Sequence, residues 1–259
     1  MRKGYLMTEL KALIFDVDGT LAETERDAHR VAFNDTFAEY DLDWHWSVEL
    51  YGELLSVTGG KERMKFYVEN YRTDDLRRSN LDGFIAELHQ RKTALYNELL
   101  ARRPIPLRLG IARLLKEARN EGLRLAIATT TSDKNVITLL EHSLSSDSVG
   151  WFDVIAAGDI VSAKKPAPDI YHYALKELGL KAENCIAFED SKNGFRAARD
   201  ADLRTVITPS DYTRQEDFTG ATLILDHLGE PDEPFTVLAG DVGDARYVDV
   251  ALLRRFDSI

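Results

Sequence analysis

The chain has 259 residues, with 44 acidic and 33 basic side chains and a formal net charge of −11. Because an acidic surface repels phosphate backbones and anionic lipids, this balance argues against a nucleic-acid or membrane partner. The one cysteine, Cys185, cannot form a disulfide within the chain, and no stretch approaches the ~18 apolar residues of a membrane span. Residues 1–9 lack the apolar core of a secretory signal, so we expect a cytoplasmic protein.

The first element is an apolar run at residues 12–15, which predicts a buried strand. Two carboxylates, Asp16 and Asp18, follow it directly. Side chains of residues i and i+2 in an extended chain share a face, so both carboxylates can address one reacting atom. An aspartyl nucleophile and its acid/base partner would be arranged in this way, although the same pattern also occurs in turns and calcium loops.

The next stretch, about residues 24–103, is too long for a loop and carries helical periodicity. One apolar stripe runs through residues 28–40, and another extends from Leu81 to Leu100. We therefore predict an inserted helical cap at residues 24–103. It would divide a core made of residues 1–23 and 104–228.

A glycine pair in the cap region precedes two cations. Gly59 and Gly60 let main-chain N–H groups approach an anion, and Lys61 and Arg63 add positive charge. The pattern therefore indicates an anion site in the cap. The alternative is the entry to a helix with a solvated charge pair.

A second strand-like run, residues 123–129, ends in three hydroxyls, Thr129, Thr130 and Thr131. A helical pattern through Leu140 follows. Hydroxyls and free N–H groups between the end of a strand and the start of a helix suit a phosphate oxygen. The alternative is that these residues only cap the helix.

Two lysines then precede a proline, at Lys164, Lys165 and Pro166, just before a helical pattern that stops at Gly179. A lysine next to a proline has a restricted backbone, which helps to aim its ammonium at a fixed anionic site. This adjacency favours Lys165 over Lys164. By itself the pattern is weak, since most lysines in loops are solvated.

A further apolar run, residues 185–189, ends in two acids, Glu189 and Asp190. If these meet Asp16 and Asp18, each carboxylate pair at about 4 Å repels by roughly 4 kcal/mol at an effective dielectric constant of about 20. Such a cluster requires a cation. Mg2+ prefers carboxylate, carbonyl and water oxygens and fits this set.

Strand-like runs alternate with helical patterns along the chain, the runs being residues 12–15, 123–129, 154–157, 185–189 and 205–207. The alternation predicts an α/β fold, a three-layer Rossmann-like core with a parallel sheet and right-handed crossovers. Ligands of such sheets bind at the carboxyl ends of the strands, where all these motifs lie. The extension at residues 229–259 is apolar enough to pack, and an added sheet edge, a subunit contact and a flexible end all stay open.

Taken in this order, the four core segments resemble the haloacid dehalogenase superfamily of phosphotransferases over about residues 10–228. The resemblance implies an aspartyl-phosphate mechanism with Mg2+. Its catalytic residues would be Asp16 as nucleophile, Asp18 as general acid/base, Thr129 as the hydroxyl and Lys165 as the neutralising lysine. Its metal site would comprise Asp16, Asp18, Glu189 and Asp190.

The cap motif, together with the aromatic residues Trp44, Trp46 and Tyr51, resembles the CbbY branch of that superfamily. Those Calvin-cycle-associated phosphatases act on xylulose-1,5-bisphosphate, which implies a small phosphorylated sugar as the binding partner. The substrate-binding residues implied by this resemblance are Glu25, His29, Tyr51, Gly59, Gly60, Lys61, Arg63, Thr130 and Thr131. Within that set, Gly60, Lys61 and Arg63 would hold the distal phosphate.

Other functions are compatible with the same motifs. β-Phosphoglucomutase resembles the chain in all four core segments, and a broad sugar-monophosphate phosphatase would follow if the cap loop faced solvent. A catalytically silent binding protein would not need an acid/base at the second aspartate. The oligomeric state stays open, with a monomer as the simplest expectation.

Overall fold

The computed structural model describes residues 9–256, and these form a seven-stranded sheet flanked by helices. Most of the segment on which a secretory signal was sought, residues 1–8, lies outside the described range. The strand order is β3-β2-β1-β4-β5-β6-β7, and the pairs are parallel except that β7 runs antiparallel to β6. The strands are β1 Ala12–Phe15, β2 Arg124–Ala128, β3 Val154–Ala156, β4 Cys185–Glu189, β5 Arg204–Ile207, β6 Leu223–Leu225 and β7 Val237–Ala239.

The interior strand β1, between β2 and β4, is fully buried. Alternate side chains enter different apolar clusters, Leu13 and Phe15 on one face and Ala12 and Ile14 on the other. Helices cover both faces of the sheet, which confirms the predicted three-layer α/β core. The core helices are α5 Ile111–Asn120, α6 Asp133–Ser143, α7 Asp169–Leu178, α8 Lys192–Asp200 and α9 Val250–Arg255.

The chain between β1 and α5 is helical and has an apolar cluster of its own, in which Trp44 and Trp46 are buried. These two residues therefore act in packing. The segment begins with a π-helical turn, Glu25–His29. Its α-helices are α1 Arg30–Glu39, α2 Val48–Leu54, α3 Gly60–Tyr71 and α4 Leu81–Arg102. We call this helical segment the cap.

The C-terminal extension adds an edge to the sheet. Strand β7 pairs with β6, and α9 packs near α5. Phe235, Val248 and Leu253 are buried in the same apolar cluster as β1. This arrangement corresponds to an added sheet edge, one of the three interpretations that the sequence left open for residues 229–259. Within residues 9–256, no helix has both the length and the apolarity to cross a membrane.

Candidate active site

Asp16 lies at the carboxyl end of β1. Its main-chain N–H donates to the Phe188 carbonyl oxygen at 3.0 Å, which fixes the residue between β1 and β4. The buried ammonium of Lys165, in the loop after β3, donates to Asp16 Oδ1 and to Glu189 Oε1, each at 2.6 Å. Three residues far apart in sequence thus meet at one sheet edge.

The adjacent lysine points elsewhere. Lys164 Nζ lies 3.0 Å from Asp159 Oδ1 and 3.3 Å from Glu62 Oε2 of the cap. The two lysines therefore contact different groups. Lys165 contacts the carboxylates of Asp16 and Glu189, and Lys164 contacts those of Asp159 and Glu62.

The three buried carboxylates form a compact cluster. Asp16, Glu189 and Asp190 each place one oxygen within 4.8 Å of the others. Glu189 Oε1 accepts from Lys165 at 2.6 Å and from Tyr171 at 2.5 Å, while the buried Oε2 has no hydrogen-bond partner. Lys165 brings one positive charge to three carboxyl groups, so a divalent cation would balance the remaining two. This set of oxygen donors fits a hard ion.

The electrostatics of these groups show an excess of negative charge at the cluster. Burial raises the pKa of Asp16 to about 7, with Lys165 opposing and Glu189 reinforcing the rise. Burial, then Asp16 and Glu189, raise the pKa of Asp190 well above its usual range. For Lys165, burial acts to lower the pKa, but Asp16 and Glu189 outweigh it and hold the pKa above the ordinary lysine value.

Asp18 is turned toward the cap. Its Oδ1 accepts from Thr24 Oγ1 at 2.5 Å and lies 2.9 Å from His29 Nε2. Burial acts to raise the pKa of Asp18, but His29 and Thr24 together lower it to about 2. The Asp18 carboxylate therefore does not belong to the cluster of Asp16, Glu189 and Asp190 in this geometry, and its role as a metal ligand stays a prediction.

A buried lysine, Lys92, contacts the other ring nitrogen of His29. The sequence analysis did not identify this residue. Lys92 Nζ lies 2.5 Å from His29 Nδ1. If Lys92 donates to Nδ1, the neutral imidazole keeps its proton on Nε2 and donates it to Asp18. The available signal was a lysine on the apolar face of α4, four residues after Leu88 and four before Tyr96.

The three threonines occupy the turn between β2 and α6. Thr129 Oγ1 accepts from the Thr131 N–H at 3.3 Å, and Thr131 Oγ1 accepts from Asn135 Nδ2 at 3.0 Å. Ser132 caps α6, since its Oγ accepts from the Asn135 N–H at 3.3 Å. A threonine is therefore not required as the helix cap, and these hydroxyls lie beside the cavities instead.

Two adjoining cavities lie between the sheet edge and the cap. The smaller, about 290 Å³, has Asp16, Thr129, Lys165 and Asp190 in its wall. The larger, about 470 Å³, is lined by cap and core residues and includes the cationic side chains Lys61, Arg63, Lys92 and Lys164 beside the acids Asp18, Glu25, Asp133 and Asp159. Both walls include Asp18, Glu25, Arg63 and Thr130. We call them the core cavity and the cap cavity.

The structure places most predicted substrate residues in these walls. His29, Gly59, Gly60, Lys61, Thr130 and Thr131 all line the cap cavity, as do Glu25 and Arg63. Tyr51 lines neither cavity, because it is fully buried among cap aromatic residues. Its hydroxyl donates to Glu25 Oε2 at 2.5 Å and accepts from Arg63 Nη1 at 2.9 Å. In this geometry Tyr51 positions Glu25 and Arg63. Its contact with the substrate stays a prediction.

The chain is similar in sequence and fold to known proteins. A family model described as a haloacid dehalogenase-like hydrolase matches residues 10–202. Protein CbbY of a Cupriavidus necator plasmid is 47% identical over 245 residues, covering 95% of this chain and 96% of the relative. A mutant of CbbY from Rhodobacter sphaeroides, solved in complex with xylulose-1,5-bisphosphate, is 48% identical, with a TM-score of 0.78 over 84% of this chain and 94% of that one.

The fold likeness extends further than the sequence likeness. β-Phosphoglucomutase from Clostridium difficile has a TM-score of 0.69 at 22% identity, covering 84% of this chain and 91% of that one. The family match runs from β1 through α8 and so contains Asp16, Lys165 and Asp190. The chain therefore belongs to the haloacid dehalogenase-like hydrolases, in the CbbY-like branch, and is a phosphoric monoester hydrolase of that family.

Proposed function

We propose that this protein is a Mg2+-dependent phosphatase that converts xylulose-1,5-bisphosphate to xylulose-5-phosphate. The observation that carries the proposal is the pair of joined cavities, each with its own cations. One phosphate would lie against Asp16 and Lys165, and the other among the basic side chains of the cap cavity. The related CbbY of Rhodobacter sphaeroides, solved with that same bisphosphate, supports this assignment.

In the first step Asp16 attacks the phosphorus atom, and the bond from phosphorus to the sugar oxygen breaks. An aspartyl-phosphate on Asp16 results, which divides a difficult displacement into two easier ones. Lys165 neutralises charge on the phosphoryl oxygens, and Thr129 and Thr130 lie within the same cavity wall to orient them. Asp16, Glu189 and Asp190 would hold Mg2+, which when bound supplies further positive charge to those oxygens.

Asp18 handles the proton in both steps. It would protonate the leaving sugar oxygen and then take a proton from the water that attacks the aspartyl-phosphate. In the free protein the low pKa of Asp18, about 2, keeps it ionised despite its burial, because His29 and Thr24 stabilise the carboxylate. A substrate phosphate arriving nearby is a like charge, so it raises the pKa of Asp18 and favours the acid form needed for the first step.

The proposed organisation is a core of residues 1–23 and 104–228, a cap of residues 24–103 and an extension of residues 229–259. The cap would exclude water from the aspartyl-phosphate and select the leaving group. We further propose a cytoplasmic monomer acting in carbohydrate metabolism associated with the Calvin cycle, as the CbbY branch implies.

Phosphate release in the presence of Mg2+ tests the proposal on three substrates: xylulose-1,5-bisphosphate, a pentose monophosphate and β-glucose-1-phosphate. We expect selective hydrolysis of the bisphosphate. Equal turnover of all three would indicate a broad phosphatase. Interconversion of glucose phosphates without net release would indicate a mutase, and no turnover would leave a binding protein.

A further inference from the structure

Two lysines in the wall of the cap cavity, one from the cap and one from the core, share one carboxylate. Lys61, in the first turn of α3 in the cap, places Nζ 2.7 Å from Asp159 Oδ2. Lys164, in the core loop before Lys165, places Nζ 3.0 Å from Asp159 Oδ1. Each ammonium contacts a different oxygen, so Asp159 spans the two cations as a two-oxygen anion. All three residues line the cap cavity.

The two sides of this arrangement differ in exposure. The side chain of Asp159 is 62% exposed, whereas that of Lys164 is 15% exposed. An ion pair with a partner as exposed as Asp159 contributes little to stability. The Asp159 carboxylate can also be solvated by water when it leaves the two lysines. The Lys164 ammonium is less accessible to water and also contacts Glu62 Oε2 at 3.3 Å, so it stays in the cavity wall when Asp159 turns away. The anion is therefore the part of the arrangement that a competing ligand can displace.

The neighbouring backbone is built to let the cap and core cations approach each other. Gly59 has φ +99°, a conformation that a residue with a side chain rarely adopts. A Cβ there would lie 3.0 Å from Lys164 Nζ and would overlap the Glu62 carboxylate. Gly60 then begins α3, a helix of 12 residues whose first N–H groups add donors on the same side.

Resting on the proposed function, we infer that Lys164 joins Lys61 in holding the second, non-reacting phosphate of the substrate. In the free protein Asp159 occupies the position of that phosphate between the two lysines, and the phosphate displaces it on binding. A phosphate presents a comparable two-oxygen edge and carries more negative charge than a carboxylate, so it competes effectively for two ammonium groups. Because Lys164 belongs to the core and Lys61 to the cap, a bisphosphate would bridge both. A monophosphate has no group that does so.

Opposite substitutions test this inference. The measured quantity is the ratio of kcat/KM for xylulose-1,5-bisphosphate to kcat/KM for xylulose-1-phosphate. Lys164→Met should lower the ratio by about tenfold or more, because one charge-assisted contact to the distal phosphate is lost. Asp159→Asn should raise the ratio severalfold, because the competing carboxylate charge is gone. Lys65→Met is the control for loss of a lysine charge. Lys65 lies in α3, the helix that carries Lys61, and pairs with Asp82 at 3.0 Å outside both cavities.

The outcomes separate the inference from the proposed function. A wild-type enzyme without preference for the bisphosphate would overturn the proposed function itself. A preference that survives in Lys164→Met would overturn the inference alone. If the ion pairs only fastened the cap to the core, Asp159→Asn and Lys164→Met would lower the ratio together, and that result would also overturn it. Equilibrium binding of the bisphosphate to Asp16→Asn enzymes carrying the same substitutions should follow the same order.

Discussion

Lys165 sets the charge balance at the carboxyl ends of β1 and β4. It donates to Asp16 and Glu189 at equal distances of 2.6 Å, yet a third carboxyl group, Asp190, shares the same buried space. Removing the Lys165 charge would leave these carboxyl groups without a positive partner among them in a region of low dielectric constant. The ionised form of Asp16 therefore depends on Lys165.

Asp16→Asn tests the nucleophile directly. An amide oxygen cannot accept the phosphoryl group, so kcat should fall by at least about 10³-fold, as for other enzymes that lose a nucleophile. The substrate should still bind, since the cap cavity is unchanged. Steady-state phosphate release and equilibrium binding measure the two effects, and retained turnover would remove Asp16 from this role.

The buried Lys92 predicts a pH-dependent stability. Burial lowers its pKa to about 7, from an ordinary value of 10.5. Between these values the unfolded chain binds a proton that the folded protein does not, so this contribution makes the wild type more stable as pH rises through the window. Below a pH of about 7 Lys92 is protonated in the folded protein, and the buried charge lowers the free energy of unfolding by its full amount.

Lys92→Met removes that cost. Its free energy of unfolding, relative to wild type, should therefore be higher at pH 7.5 than at pH 9.5, by roughly 2 to 3 kcal/mol at about 1.4 kcal/mol per pH unit. Urea unfolding at both values measures the difference. Lys65→Met, a surface control, should show no such trend, and a pH-independent Lys92→Met effect would count against the buried-lysine account.

At the residue scale, sequence reasoning succeeded where chemistry follows a strand. Asp16, Glu189 and Asp190 stand at the ends of apolar runs, and parallel strands bring those ends together. It did not detect Lys92, because a single lysine in a helical stripe looks like an imperfect periodicity. It also did not reveal that Tyr51, which the family resemblance places at the substrate, is buried among cap aromatic residues.

Among the elements around the site, α8 leaves room for the acidic cluster because it has a glycine, Gly194, where it meets Glu189. A Cβ at Gly194 would overlap the Glu189 carboxylate, and one at Gly19 would overlap that of Asp190. Both glycines therefore let acidic side chains approach the main chain of a neighbouring segment. Helix α8 can then begin directly against the cluster.

Gly194→Ala should displace Glu189 and so perturb its contacts with Lys165 and Tyr171. We expect a loss of about 1 to 3 kcal/mol in unfolding free energy, as for other overpacked sites, with reduced turnover. Gly150→Ala is the matched control, because no atom lies within 4 Å of its added Cβ. Thermal unfolding compares them, and equal stability of the two variants would contradict the crowding at Gly194.

The elements that sequence reasoning missed are the short ones. Strands β6 and β7 have three residues each, and α2 has seven, so each carries fewer than two full periods of its pattern, which is too few to identify it. β7 is also exposed along its length, which removes the apolar signal of a strand. The predicted bounds at residues 12–15 and 185–189 match β1 and β4, where burial on both faces gives an unbroken apolar run.

At the scale of the whole molecule, the C-terminal extension is part of the core. Phe235, Val248 and Leu253 belong to the cluster that also contains Leu13 and Phe15 of β1. The extension was not interpretable from sequence, because its apolar residues follow a Pro- and acid-rich linker and have no periodicity that identifies a partner surface. Its packing links the far edge of the sheet to the layer under the active site.

Leu253→Ala should therefore lower the free energy of unfolding by about 2 to 5 kcal/mol, since it leaves a cavity at a fully buried position. Leu238→Ala is the control, because Leu238 lies in the same extension but is 56% exposed. Its effect should stay within about 0.5 kcal/mol. Denaturant unfolding that gave similar losses for both would mean that α9 is not packed into the core.

The most direct test of the account asks where the phosphoryl group resides during turnover. In Asp18→Asn the aspartyl-phosphate loses the base for its hydrolysis, whereas an activated donor such as acetyl phosphate needs no acid to form it. After incubation with acetyl phosphate and Mg2+ and an acid quench, peptide mass mapping should find one phosphoryl group on Asp16. A phosphoryl group on any other residue, or turnover by Asp16→Asn, would contradict the account.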